Sequence, residues 1–499
     1  MGSYYRLLIP LGLAILALLT LILVSCAVGP DFKPLPPPQA QQYTKLPMPL
    51  KTASTPQYFV SGRDLGGDWW QIFHSSKLND LITAGLNNNQ DLAAAKAALR
   101  EANYALYAQI GGLLLPAVNF SGGAQESQSN ALSFGVNTPS TTFNVFNASF
   151  QASYLLDVWG ASRRQIEAYA AQADYERYVM LGTYITLTTN IATTAITIAS
   201  LQDQLIATNN LIVAQKKVLK ITQQQFSAGG VSETNVLSQQ TLLAQTQATL
   251  PPLQKSLSEE QHALAVLTGN QTSDMPILLL NLNKIKLPRE LPVSLPSQLV
   301  ESRPDIQASE ALLHATSAQV GVATANLLPQ ITLTGNYGWI SSSANNLFSS
   351  ANQTWNIGAG LLQPLFHGGQ LIMQRKSMIA AFEQARAQYK QTVLQAFKNV
   401  ADALRAIQYD AVEMRDQVRA EKFALETLNI TEQQYQVGGQ NYLAVLNAQE
   451  QYQNSVLARV KAQAMRYTDT AALYQALGGG WWNDTISQYG TTRWGKVHT

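Results

Sequence analysis

Between Gly160 and Ala228 the chain runs without a proline, and Tyr184, Ile191, Ile198, Leu205, Ile212, Leu219 and Phe226 recur there at every seventh position. An α-helix presents such a seam on one face. A second line, Ile185, Ala192, Ala199, Ile206 and Val213, widens the apolar face beyond a bare coiled-coil stripe. Most of the remaining surface is Thr, Gln and Asn. With a rise of about 1.5 Å per residue the helix is on the order of 100 Å long, more than one compact domain encloses, so it must pack against other rods. Gly229 and Gly230 supply the positive φ angles that end a helix and reverse the chain. A second helical pattern begins near Val231, with Ser232 placed as its N-cap.

The same object occurs twice. Ile221–Gly230 (ITQQQFSAGG) and Ile430–Gly439 (ITEQQYQVGG) align without a gap, and beyond them Val236, Leu237 and Gln240 meet Val445, Leu446 and Gln449. Carrying the seam across gives Val393, Val400, Ile407, Met414, Glu421, Leu428 and Tyr435, apolar everywhere except Glu421. This is an internal duplication with a period of roughly 210 residues, far longer than a solenoid unit. It predicts two long helical hairpins, over 160–268 and 368–477, within a first repeat at 61–295 and a second at 296–480. The length of 499 residues then describes one elongated body built from two halves rather than several independent domains.

A net charge of +2 with only 13% charged residues provides no basic surface for nucleic acid. The hydrophobic content of 46% suits a globular protein or an outer-membrane β-protein alike. The sole cysteine, Cys26, excludes a disulfide within the chain. Arg6 precedes a nearly unbroken apolar run from Leu7 to Val24 that ends in Leu23-Val24-Ser25-Cys26, so residues 1–25 read as a secretory signal. The run resembles a bacterial lipobox, which implies cleavage before Cys26 and a diacylglycerol on its sulfur; the plainer alternative is an uncleaved membrane anchor. Ala27, in place of an aspartate, resembles lipoproteins sorted to the outer membrane.

Residues 26–60, with Pro36, Pro37 and Pro38, read as an extended leash. Trp69 and Trp70 read as buried anchors of a short helix. A helical pattern from Leu78 to Leu115 stops at Pro116, and its counterpart from Pro304 to Leu328 stops at Pro329. Arg303 and Asp305 fix the start of the latter. The period then changes to two: Phe146, Ala148, Phe150, Ala152 and Tyr154 alternate with polar residues, as do Ile331, Leu333, Tyr337 and Trp339. Val118 and Phe120 begin a third such line, and Trp355, Ile357, Ala359 and Leu361 a fourth. Strands are therefore expected at 117–128, 143–157, 330–341 and 353–365.

Segments of about 9 to 11 residues, apolar on one face, fit a transmembrane barrel; a soluble sandwich with one wet face has the same period. The envelope signal and the aromatic residues Tyr337, Trp339 and Trp355, placed as an interfacial girdle, favour the membrane. Four strands do not close a barrel, and open edges are not tolerated in lipid, so several protomers would share one. Pro251 and Pro252 should break the first returning helix. Short pieces at 269–295 belong to a belt, and 481–499 form a tail. The fold class is α+β.

The five histidines, His74, His262, His314, His367 and His498, are scattered with neither an HExxH pair nor a Cys/His metal spacing. No phosphate-binding GxxxxGK[ST] loop is present. No catalytic residue, cofactor or metal is expected, and energy for any transport comes from a partner.

Val28–Lys33 (VGPDFK), Tyr154–Gly160 (YLLDVWG), Arg303–Ile306 (RPDI), Asn326–Ile331 (NLLPQI), Gln363–Gly369 (QPLFHGG) and Ala476–Trp481 (ALGGGW), in this order and with the duplication, resemble the outer-membrane efflux proteins of the TolC type, in their lipidated branch. The resemblance covers nearly the whole chain from Cys26 to Trp481. It implies a homotrimer with a 12-stranded outer-membrane β-barrel continuous with a long periplasmic α-helical barrel. It also implies a periplasmic adaptor and an inner-membrane pump as partners, and contact with outer-membrane lipid. The tips at Gly229, Gly230, Gly438 and Gly439 would be the periplasmic end, closed at rest. In the family a tyrosine, an aspartate and an arginine tie the inner helices shut and acidic residues ring the constriction. Here Tyr435 matches the tyrosine, Asn235 beside Thr234 stands for the aspartate, Gln440 for the arginine, and Ala444 and Asn447 occupy the ring. Closure would then rest on neutral hydrogen bonds, each about half as strong as charged ones. The rival reading is a lipid-anchored periplasmic coiled-coil scaffold without a pore.

Overall fold

The computed structural model describes residues 27–36, 42–45, 49, 51–53, 57–62, 65–129, 140–274, 279–294 and 296–483. The expected signal and Cys26 lie outside the described residues. The elements in chain order are β1 (Tyr58–Ser61), a 3-10 turn (Trp69–Phe73), α1 (Ser76–Asn88), α2 (Gln90–Leu114), β2 (Ala117–Ser129), β3 (Thr141–Leu156) and α3 (Ala161–Ser227). There follow α4 (Glu233–Ala248), α5 (Leu250–Leu267), β4 (Glu290–Val293), α6 (Pro296–Ser302), α7 (Pro304–Ala325), β5 (Gln330–Ser341), β6 (Gln353–Leu362), α8 (Gln370–Gln436) and α9 (Tyr442–Ala476).

The duplication is visible element by element. Helices α3 and α8 both contain 67 residues, and each is launched after a glycine of positive φ, Gly160 at 80° and Gly369 at 82°. The first returning helix is interrupted at Thr249, so that Pro251 falls in the first turn of α5, where its missing N–H costs nothing; α9 runs unbroken. The single helix expected over Leu78–Leu115 is instead two. Asn89, extended at φ −66° and ψ 129°, caps α2 by accepting from Leu92 N at 2.9 Å while its amide donates to Leu267 O at 3.1 Å. In the second half Arg303 separates α6 from α7 and donates to Ala476 O at 2.8 Å. Different side chains thus tie the interhelix joint of each repeat to the last carbonyls of its returning helix, groups that the helix itself leaves unpaired. Arg303 also forks onto Asp305 at 2.9 and 2.6 Å, and Asp305 accepts from Ile306 N.

The chain divides into two units. The first, Leu99–Glu176 and Ser309–Tyr389 with the described residues up to Leu35, holds a four-stranded antiparallel sheet of order β2-β3-β5-β6. Its register places Phe120 opposite Phe150, Phe150 opposite Tyr337 and Tyr337 opposite Trp355. The neighbouring row is Val118, Ala152, Gly335 and Ile357. Because paired residues share a face and alternate residues along a strand do too, all four apolar lines lie on one side. The other side carries Asn119, Ser121, Ser149, Gln151, Thr334, Asn336, Thr354 and Asn356, with Ser121 and Ser149 hydroxyls 3.0 Å apart. The apolar side is bare: Phe120, Trp355, Ile357 and Leu361 are all exposed. Among the described residues β2 and β6 each pair on one side only.

The second unit holds residues of α3, α8 and α9, the Trp69–Phe73 turn packed on Tyr184 of α3 and on Tyr467 and Tyr474 of α9, with β1 and β4 paired in parallel. Trp69, Trp70 and Phe73 are buried as expected of anchors, and Trp69 stacks on Tyr474 with ring centroids 5.6 Å apart. Tyr184, Ile191, Ile198, Val393, Val400 and Ile407 fill the core. Further along the seam the burial changes character, since Ile206 and Val213 are exposed and Thr208, Gln215 and Thr222 are buried. Glu421, the polar exception, forms an ion pair with Arg459 of α9. Among the described residues no helix is long and apolar enough to cross a membrane.

Candidate functional site: the hairpin tips

Both hairpins turn by the same backbone device. Gly229, at φ 74°, donates to Phe226 O at 2.9 Å and Gly230 to Gln225 O at 2.8 Å; Gly438, at φ 77°, donates to Tyr435 O at 3.1 Å and Gly439 to Gln434 O at 2.8 Å. This is the Schellman closure, which satisfies the last carbonyls of α3 and α8 and requires a residue tolerant of the left-handed region. The returning helices start differently. Asn441 accepts from Ala444 N at 2.9 Å as a true cap of α9, whereas the Ser232 hydroxyl, at the N-cap position of α4, donates to Asn235 Oδ1 at 3.3 Å.

Between the hairpins lies a small neutral network. Tyr442 Oη donates to Gln239 Oε1 at 2.5 Å and lies 3.2 Å from Thr222 Oγ1. Tyr435 stacks obliquely on Tyr442, centroids 5.3 Å apart, and reaches Gln225 Oε1 at 3.4 Å. Leu242, Tyr442 and Leu446 form an apolar cluster against which Val218 and Tyr435 pack. Deeper, Thr246 Oγ1 donates to Gln453 Oε1 at 3.1 Å. Burial pushes the Tyr442 hydroxyl above its usual range, the Thr222 contact opposing and Tyr435 reinforcing the shift, so the phenol stays protonated and can donate.

Of the residues singled out in the sequence, Tyr435 belongs to this network. Asn235 instead serves the start of α4, where its N–H also donates to Ser232 O. Thr234 and Gln440 are exposed, and neither is brought to Tyr435. Asn447 is exposed on α9 and lines an open cavity of about 500 Å³ with Gln417, Glu450, Gln451 and Asn454. Thr222, Gln225, Gln239 and Tyr442 were not singled out. One trace of them exists in the sequence: Thr208, Gln215 and Thr222 recur every seventh residue on α3, and Gln239 and Thr246 are seven apart on α4. All five are buried, a polar line running beside the apolar seam.

A second cluster holds the N-terminal segment in the first unit. Val28 N donates to Trp159 O at 2.9 Å, and Phe32 stacks on His314 with centroids 4.4 Å apart. Asp31 pairs with buried Arg164, which also binds Glu167 at 2.8 Å; Glu167 in turn meets His314 Nε2 at 2.8 Å. Burial alone would raise the Glu167 carboxyl, but the bonds from His314 and Arg164 outweigh it and hold it below the usual carboxylate range. Ala27 packs so closely on Gly160 that a Cβ there would not fit.

Residues 81–270 and 295–479 match the family model for outer membrane efflux proteins. The pyoverdine export outer membrane protein OpmQ of Pseudomonas aeruginosa is 31% identical over 448 residues, covering 87% of this chain and 92% of that protein. The cation efflux system protein CusC of Escherichia coli is 28% identical over 479 residues, covering 92% of this chain and 97% of the other. The solved structure of the outer-membrane channel OprN superposes with a TM-score of 0.83 at 26% identity, covering 91% of this chain and 100% of that one. Matched along both repeats and in three-dimensional form, the chain belongs to the outer membrane efflux protein family.

Proposed function

We propose that this outer-membrane efflux protein acts as the exit duct of a tripartite pump: a homotrimer whose three sheets join into a 12-stranded barrel, continuous with a periplasmic tunnel of the long helices. A periplasmic adaptor would dock at the tips and an inner-membrane pump would deliver the cargo. The observation that carries this reading is the sheet in the first unit, with one bare apolar face, one polar face and two unpaired edges at β2 and β6. Lipid accepts the apolar face but not the open edges, and pairing β6 of one protomer with β2 of the next removes both edges at once. The scaffold reading leaves that face unexplained.

Lipidation of Cys26 fits the same picture. The residues that follow it are fastened by Val28 to Trp159 between β3 and α3, by Asp31 to Arg164 of α3 and by Phe32 to His314 of α7, so acyl chains on Cys26 would enter the bilayer beside the barrel. At the tips, the Tyr442 network together with Tyr435 would hold the duct closed without charges. Among the described residues Thr208 Oγ1 and both amide atoms of Gln215 are buried without a partner, which lowers the cost of separating the hairpins, since these groups regain hydrogen bonds when wetted. Polar neutral walls bind no solute strongly, and relatives are named for cargoes as unlike as pyoverdine and cations, so the pump rather than the duct would select.

The decisive experiment is reconstitution of the purified protein into planar bilayers together with heat-modifiable gel migration. A conducting, heat-modifiable trimer is expected, with larger unitary conductance in Tyr435→Ala. Absence of both conductance and heat modifiability returns the scaffold; a conducting trimer with unaltered Tyr435→Ala conductance keeps the duct and removes Tyr435 from the gate.

A further inference from the structure

Helices α8 and α9 bring two carboxyl groups together well away from the tips. Asp410 on α8 is only 9% exposed, and among the described residues no N–H or O–H donor reaches its buried Oδ2. Asp469 on α9 comes within hydrogen-bonding reach of it. Two carboxyl groups bond to one another only when one keeps its proton, because an ionised carboxylate offers acceptors alone. The surroundings do not neutralise the pair. Glu413 on α8 adds a third negative charge, and Arg466 on α9, itself buried, supplies a positive one. The Arg466 donors reach Gln57 Oε1 at 3.1 and 3.3 Å and Thr52 Oγ1 at 3.3 Å. Asp469 also lines a cavity of about 390 Å³ with Asp402 and Arg303; Asp402 is paired with Lys398 and Arg303 with Asp305.

We propose that Asp410 and Asp469 form a proton-linked clasp between α8 and α9: with one shared proton they hold the helices together, and without it two facing negative charges loosen the hairpin at this level. The clasp is independent of the tip network and of the duct reading.

Burial is the main cause that pushes the Asp410 carboxyl up from 3.8 to about 7, with Asp469 and Glu413 adding and Arg466 opposing. The sign follows from the direction. The folded protein keeps a proton that the unfolded chain has already released, so the stabilisation is complete below the unfolded value and disappears as pH rises through about 7.

The test uses the full-length protein in detergent. Infrared difference spectra between about pH 5 and about pH 9 should show the carbonyl stretch of a protonated carboxylic acid that vanishes with a midpoint near neutrality. Asp410→Asn should abolish it, and Asp469→Asn, which leaves Asp410 buried but removes the facing carboxylate, should move its midpoint to lower pH. Amide exchange in peptides around Asp410 and Asp469, corrected for intrinsic rates, should be about tenfold faster above the midpoint in the wild type and level in both variants. A wild-type spectrum with no carboxylic acid near neutral pH, a band that survives in Asp410→Asn, or pH-independent exchange in the wild type overturns the clasp. The wild-type titration decides the matter even if a variant fails to fold.

Discussion

The Tyr442 hydroxyl is shared between two hairpins, which makes it the most informative single atom at the tips. Tyr442→Phe keeps the ring against Tyr435 and Leu446 but leaves the buried Gln239 carbonyl oxygen without its 2.5 Å donor. Leaving such a group unpaired costs about 1–3 kcal/mol, so faster amide exchange at the ends of α3 and α9 is expected. Tyr435→Phe deletes only a 3.4 Å contact to Gln225 and should leave exchange nearly unchanged; equal effects of the two substitutions would contradict the assignment. Glu421 offers a second test at this scale. It sits where the heptad seam calls for an apolar residue and is matched by Arg459. Glu421→Leu alone leaves the guanidinium its 3.0 Å bond to Gln463 but no counter-charge, whereas Glu421→Leu with Arg459→Met replaces both charges by hydrocarbon, a change that is often neutral or stabilising. Thermal unfolding should show the double variant above the single one.

At the scale of elements, the turns and the sheet use glycine for different reasons, and substitution separates them. At Gly229 and Gly438 a methyl group would meet nothing within 4 Å, so alanine costs only the left-handed backbone, about 1–2 kcal/mol each, and should fray the hairpin ends without lowering yield. At Gly338 a methyl group would press on the backbone of Ser149 across the β3–β5 pair. Gly338→Ala is therefore expected to disturb strand registry and reduce the folded fraction recovered from the membrane. These elements differed in how readable they were. Strand faces were legible because an alternation of Phe146, Ala148, Phe150, Ala152 and Tyr154 is a local signal that tertiary packing preserves. The seam was legible only halfway. A strict seven-residue repeat drifts around a helix of 3.6 residues per turn, and beyond Leu205 the drift carries Ile206 and Val213 outward and Thr208, Gln215 and Thr222 inward. The split at Asn89 was hidden because its cause is a contact with Leu267 far along the chain. The tip network was hidden for the same reason: Thr222, Gln239 and Tyr442 meet across two hairpins, and no local pattern records which polar residue finds which.

The whole molecule poses one question that neither residue nor element answers, namely what covers the apolar side of the sheet. Ile357 on β6 is 83% exposed there, in the row with Val118 and Ala152. In a lipid-facing barrel a lysine near mid-membrane costs about 2–4 kcal/mol per protomer, and a trimer carries that cost three times in one closed structure. Ile357→Lys should therefore reduce the heat-modifiable oligomer recovered from outer membranes and leave more chain in unassembled form. Asn356→Lys, one residue along and on the polar side, should assemble normally, because its charge would face water. A soluble sheet predicts the reverse ranking, since there an exposed isoleucine gains solubility on becoming lysine while the polar face would be the one open to neighbours. Comparing the oligomer yield of the two variants at equal expression thus reads directly which side of the sheet meets lipid, and with it whether the four strands of one chain are a share of a common barrel.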